Sequence, residues 1–207
     1  MKVLLILMVV GVGLIGGFEY FAKTQTNRFN NTVAEEVTST FPSVRMKGYL
    51  PNIELINQFN EPVRFYDDLV KDKVVLINFI YTNCGGICVP TTSRLARVQE
   101  ELGDKLGKDI YFYSITLDPE FDTPERLRRY ADVFSAQPGW LFLTGEYDDI
   151  ERLRRKLGVY DLDPIVDADK TQHAGILVYG NEPQGTWVAI PSLISPKDIL
   201  KAISKVM

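Results

Sequence analysis

The sequence predicts an α/β domain, a sheet of apolar strands with crossover helices packed on both faces. Two observations carry that prediction. Residues 74–81 (VVLINFIY) and 110–117 (IYFYSITL) are near-continuous apolar runs of strand length, the pattern of strands covered on both sides. Between and after them fall amphipathic stretches of helical period, which gives the order β-α-β-α-β-α-β-β-α.

Taken in order, residues 49–56 and 62–65 read as two short strands joined through the turn-prone Asn57-Gln58-Phe59-Asn60-Glu61. After the 74–81 strand, residues 90–102 form a helix with Leu95, Val98 and Leu102 on one face. A second helix starts at Asp122-Thr123-Pro124-Glu125, where Asp122 and Glu125 make a capping box and Pro124 sits in the first turn. Leu127, Tyr130, Ala131 and Phe134 are its buried stripe. Residues 140–143 are a short strand. Residues 148–157 are a basic-faced helix on Ile150, Leu153 and Leu157, with Asp148 and Asp149 where the helix dipole favours negative charge. A hairpin of 176–179 and 187–190 turns across 180–185, and a helix over 196–206 closes the chain. The active edge of such a sheet lies where strands end and helices start.

Composition fits one domain and narrows its class. The chain has 207 residues, 45% hydrophobic and 24% charged, so a core of ordinary size forms without a disulfide framework. A formal charge of −4 argues against nucleic acid as a partner. Two Cys and one His are the only thiol and imidazole donors, so a site built from them has almost no freedom of membership.

The amino-terminal part reads differently. Residues 3–18 (VLLILMVVGVGLIGGF) are an uninterrupted apolar or Gly run behind Lys2. As a helix they span ~24 Å, a little short of a ~30 Å hydrocarbon core. Tyr20, Phe21 and Ala22 extend the run to Lys23, with the aromatics at the interface. Residues 1–23 are therefore expected to be a membrane anchor or a signal segment; with no clean Ala-x-Ala site before Lys23, the uncleaved anchor is favoured. Either reading sends the rest of the chain across a membrane. Residues 24–47 read as a polar tether, and residues 48–207 as the folded domain.

The chemistry gathers at TNCGGICVP, between the 74–81 strand and the following helix. Backbone N–H groups at a helix start favour the thiolate, and the four-residue spacing places Cys84 and Cys88 one turn apart if the stretch coils. Gly85 and Gly86 let the backbone bend. Three readings compete: a structural disulfide, whose short loop restrains little unfolded-state entropy; a pair of inert buried thiols; and a redox or metal site, which is favoured. Cys-x-x-x-Cys alone is a weak motif, and His173 strengthens it. A lone His is more often a satisfied polar residue than a ligand. This one falls just before the 176–179 strand, expected beside the 74–81 strand. Two thiolates and an imidazole suit Cu(I) or Cu(II), or a zinc site with three protein ligands.

Several further motifs join the Cys pair: Ile80-Tyr81-Thr82-x-Cys84-x-x-x-Cys88 with Pro90-Thr91-Thr92, Ile115-Thr116-Leu117-Asp118-Pro119-Glu120-x-Asp122-Thr123-Pro124, Leu141-x-Leu143-Thr144-Gly145, and the late His173. On these the chain resembles the SCO/SenC family of membrane-tethered copper chaperones over most of residues 48–207. The resemblance implies a thioredoxin-like fold with an amino-terminal β-hairpin extension, in which Cys84, Cys88 and His173 bind a copper ion. It further implies delivery of copper to the copper-site subunit of a cytochrome oxidase, or reduction of that site's cysteines, with a thiol reductant as a further partner. The implied location is the extracytoplasmic face of a bacterial cell membrane. The sequence departs from the family pattern at Val89, which separates Cys88 from Pro90, and at Gly85 and Phe121. Gln172 stands where an acid is usual, removing a partner that would orient the His173 ring.

The remaining candidates have plainer readings. Asp118 can tune a thiol or shuttle a proton, but an Asp-Pro turn is the favoured reading. Asp122 is a cap. Arg126, Arg128, Arg129, Arg152, Arg154, Arg155 and Lys156 make solvated helix faces, with a docking patch for an acidic partner as the alternative. Tyr111 and Tyr113 are core or interface aromatics. No phosphate-binding loop, dinucleotide fingerprint or nucleophilic Ser constellation is present. The expected function is copper carriage. Its rivals are a metal-free thiol:disulfide oxidoreductase using Cys84 and Cys88, and a tethered scaffold.

Overall fold

The computed structural model describes residues 48–169 and 175–207. The expected anchor (1–23), the tether (24–47) and His173 lie outside the described residues. Among the described residues, no helix is long and apolar enough to cross a membrane.

The strands are β1 (Glu54–Asn57), β2 (Pro62–Arg64), β3 (Val74–Ile80), β4 (Tyr111–Thr116), β5 (Trp140–Gly145), β6 (Ile176–Asn181) and β7 (Thr186–Pro191). They form one sheet in the order β2-β1-β5-β4-β3-β6-β7. The apolar runs take its centre, with β3 parallel to β4 and β4 parallel to β5. The flanks are antiparallel: β1 against β5, β2 against β1, β6 against β3, and β7 against β6. The helices are α1 (Cys88–Leu102), α2 (Pro124–Val133), α3 (Tyr147–Lys156), the short α4 (Pro164–Asp167) and α5 (Pro196–Ile203).

Strand alternation splits the core in two, as a sheet covered on both faces requires. Val75, Ile77 and Phe79 face one layer, with Phe65, Leu69, Ile150 and Leu153. Leu76 and Ile80 face the other, with Leu95, Val98, Leu127 and Ile199. Helices α1, α2 and α5 thus supply buried residues to one face. Helix α3 and a π-helical turn (Phe65–Val70) supply them to the other. Tyr113 is core, donating its hydroxyl to the Leu69 carbonyl (2.8 Å).

Three local expectations are corrected, and two short elements were not expected. The 49–56 strand shrinks to Glu54–Asn57, because Pro51 has no N–H to give a ladder. The helix expected from residue 90 starts at Cys88; Pro90 is tolerated there because first-turn N–H groups have no intrahelical acceptor. Arg154 is not solvated but 1% exposed. The turn Phe65–Val70 and α4 carry no apolar period long enough to be read in the sequence.

Candidate metal centre

Strand β3 delivers the chain to the site. Past Ile80, the Cys84 N–H donates to the Tyr81 carbonyl (3.2 Å), closing a turn that brings Cys84 back toward the start of α1. Cys88 is the first residue of that helix. Its N-cap, Ile87, offers no side-chain acceptor. The groups that bear on the Cys84 thiolate lie at this helix start: the Cys88 thiol and N–H, the Tyr81 hydroxyl and the Gly86 N–H. Both cysteines are free thiols and both are buried, Cys84 at 9% exposure and Cys88 at 0%.

These contacts make the pair unequal. Burial alone raises the Cys84 thiol, but the Cys88 thiol and N–H, Tyr81 and Gly86 outweigh it and hold Cys84 below the ordinary thiol value. Cys88 is pushed up to about 12, first by burial and then by its hydrogen bond to Cys84. Tyr81 is raised, first by burial and then by its bond to Cys84. Gly85 and Gly86 do not hold left-handed backbone. A Cβ at either would meet nothing within 4 Å, so the loop between the sulfurs is open to approach.

The surroundings fix the frame. Thr92 donates its hydroxyl to the Cys88 carbonyl (2.9 Å) and lies 3.0 Å from the Tyr130 hydroxyl of α2. Thr91 donates to Ser192 Oγ (2.9 Å), and the Ser192 N–H donates to the Gly175 carbonyl (2.8 Å). Asp122 is not the cap of α2. Thr123 is, accepting from the Arg126 N–H (3.4 Å), while Glu125 pairs with Arg129 (2.6 Å). The Asp122 carboxylate is instead fully buried. It accepts from the Thr82 N–H (3.0 Å), the Thr82 hydroxyl and the Thr116 hydroxyl (2.5 Å), and so ties the ends of β3 and β4 together. The capping-box reading failed because Thr123, one residue nearer Pro124, satisfies the same helix end and releases Asp122 inward. Asp118 forms the expected turn, its carbonyl accepting from the N–H groups of Phe121 and Asp122.

Cys84 and Cys88 share one buried layer, but residues 85–87 bend rather than coil, so the pair is not set one helical turn apart. His173 lies outside the described residues, and among those residues no group of three His, Cys, Asp or Glu side chains is placed to hold a metal ion. Gly175, two residues after His173, is described. A Cβ there would lie 3.5 Å from Ile87, which immediately precedes Cys88. The sequence motifs include Thr82, Thr91 and Thr116 but give them no role, and Ser192 leaves no signal; the threonines near two strand ends each fall two residues from Cys84 or Asp118.

The SCO1/SenC family model matches residues 47–207. The chain belongs to the SCO1/SenC family. Among curated relatives, protein sco1 of Schizosaccharomyces pombe is 26% identical over 91% of this chain and 69% of its own length. Two other curated relatives are matched over only 56% and 39% of theirs. Solved SCO1/SenC structures share the mixed α/β, thioredoxin-like fold. A family lipoprotein from Bacillus anthracis has a TM-score of 0.62 at 24% identity, covering 76% of this chain and 94% of that one. Yeast Sco1 with copper bound has a TM-score of 0.57 at 22% identity, covering 75% and 92%. BsSco, described as having a disulfide switch and as a member of the Sco family of cytochrome c oxidase assembly proteins, has a TM-score of 0.60 at 24% identity, covering 75% and 91%.

Proposed function

We propose that this chain carries one copper ion on Cys84, Cys88 and His173 and passes it to the copper-site subunit of a cytochrome oxidase. The observation that carries the reading is the thiol pair at the start of α1, buried on the protein side and open above Gly85 and Gly86. Two adjacent thiolates hold Cu(I) by softness, and an imidazole makes Cu(II) tolerable. The position of Gly175 against Ile87 supports His173 as the third ligand, since two residues of chain reach at most ~7 Å. Copper bound in yeast Sco1 and the oxidase-assembly description of BsSco point the same way. An open site permits transfer by ligand exchange, a client donor entering as one thiolate leaves. Residues 1–23 would hold residues 48–207, through the tether, at the extracytoplasmic face of a cell membrane.

One observation favours a second reading. A thiol held low beside a thiol held high suits thiol:disulfide exchange. The Cys84 thiolate would attack a client disulfide and release one client thiolate. Cys88 would then resolve the mixed disulfide, leaving a Cys84–Cys88 disulfide and a dithiol client. A thiol reductant would restore the pair.

The deciding experiment is a copper titration of the reduced full-length chain in mild detergent against a competing chelator, with Cys84→Ser and His173→Ala alongside. One equivalent, weakened by both changes, is the expected result. Binding indifferent to both would leave thiol exchange as the function.

A further inference from the structure

The connection from α3 to β6 runs from Leu157 to Gly175 and contains the short α4, and connections beyond ~12–15 residues are usually functional. Its apolar side chains do little to hold it. Leu162 is 88% exposed and Ile165 84%, and between Gly158 and Asp169 only Val159 and Asp167 are buried. What holds it is polar. Arg154, buried in α3, donates from Nη1 to the Val159 carbonyl (2.7 Å) and to Asp167 Oδ1 (2.7 Å), and from Nη2 to Asp167 Oδ2 (3.0 Å). On its own helix it pairs with Glu151 at 3.0 and 2.6 Å. Asp167 also accepts from Arg155 (2.5 Å) and from the Asp161 N–H (3.0 Å).

A buried ion pair is a poor way to gain stability, because desolvating both charges offsets most of their attraction, and an apolar pair of similar size often serves as well. What a bidentate Arg–carboxylate pair adds is direction: it accepts one geometry and rejects its neighbours. Here it fixes the course of the chain at Val159, Asp161 and Asp167 together. Downstream, the Ser192 N–H fixes Gly175. The chain is therefore held at Asp167, six residues before His173, and at Gly175, two residues after it.

We infer that Arg154 and Asp167 are positioning residues for the imidazole ligand, a clamp that sets where the chain leading to His173 departs from α3. The inference rests on the reading of His173 as a copper ligand. It assigns a role in metal binding to a pair far from the thiols in sequence, and it accounts for a buried arginine on a helix whose other basic residues, Arg152, Arg155 and Lys156, are exposed.

The test uses the reduced full-length chain in mild detergent, loaded with Cu(II) alone or Cu(I) alone. Arg154→Met is compared with His173→Ala, reading affinity by chelator competition and imidazole ligation by the nitrogen hyperfine structure of the Cu(II) resonance. Arg154→Met is expected to weaken Cu(II) by about 10-fold or more and to alter the nitrogen signature, as loss of a ligand-orienting partner does. Cu(I), held by the two thiolates, should change by less than about 3-fold. Asp167→Asn should do the same; it keeps the shape and leaves Glu151 to neutralise Arg154, so it carries the test if Arg154→Met does not fold. If His173→Ala weakens Cu(II) while both clamp variants bind as the parent does, the clamp is refuted and the ligand reading stands. If His173→Ala itself changes nothing, the ligand reading fails and takes the clamp with it.

Discussion

Thr91, in the first turn of the helix that begins at Cys88, donates its hydroxyl to Ser192 Oγ at 2.9 Å, with both residues buried. The Ser192 N–H donates in turn to the Gly175 carbonyl. Two hydrogen bonds thus link the cysteine helix to the residue at which the chain enters β6. Removing one hydroxyl leaves its partner buried and unsatisfied, which costs about 1–2 kcal/mol, whereas removing both can be nearly neutral. Thr91→Val and Ser192→Ala should each lower stability by about that amount, and the double variant by less than the sum. Urea denaturation of the four proteins measures it; strict additivity would show that the pair does not interact.

The unequal thiols make a second prediction. Because Cys84 titrates below the ordinary thiol value and Cys88 at about 12, alkylation near pH 7–8 should modify Cys84 first. Cys88→Ala removes one hydrogen-bond donor from the Cys84 sulfur while leaving the helix N–H, so the alkylation midpoint of Cys84 should move upward in pH. Tyr81→Phe should move it the same way. A midpoint unmoved by both would show that neither group stabilises the thiolate. The measurement is the rate of iodoacetamide labelling against pH, with the labelled cysteine identified by peptide mass.

Much of this architecture is legible in the sequence because its signals are periodic. Uninterrupted apolar runs mark β3 and β4, and the stripe Leu127, Ala131 marks α2. The Cys pair is legible as a motif because two thiols four residues apart fall at a strand-to-helix junction. Asp122 and Arg154 were not legible for a common reason. Local rules assign a polar residue at a helix start to capping and a basic residue on an amphipathic helix to solvent. Both are overridden here by partners distant in sequence, Thr82 40 residues away and Asp167 13 residues away. Long-range polar pairs leave no periodic trace.

Asp122 should matter to stability and to the site together. Its carboxylate satisfies three donors, two from half-buried Thr82 and one from the fully buried Thr116, whose hydroxyl loses its acceptor once Asp122 is truncated. Asp122→Ala should therefore cost about 2–4 kcal/mol. Asp122→Asn preserves shape but puts a donor where an acceptor is needed, and should cost somewhat less. Thr82 lies two residues before Cys84, so both variants should also speed alkylation of the buried Cys88 as the turn loosens. Equilibrium unfolding gives the first quantity and the labelling assay the second. Loss of stability with Cys88 labelling unchanged would confine Asp122 to a purely structural role.

Asp167 gives a pH signature of its own. The Arg154 guanidinium, with burial opposing and the Asp161 N–H and Arg155 assisting, holds its carboxyl well below the usual carboxylate range. The folded value is thus lower than the unfolded value of about 4. The stabilisation it contributes is fully present above that unfolded value and is lost as pH falls toward the folded one. The parent should therefore exceed Asp167→Asn in stability at neutral pH, with the gap closing between about pH 5 and pH 2. Arg154→Met should narrow the same gap at neutral pH, since Asp167 then loses the buried cation beside it, while Arg155 is exposed. Denaturant midpoints across that range decide it: a gap independent of pH would mean that Asp167 holds the connection by shape and hydrogen bonding, with its charge contributing nothing.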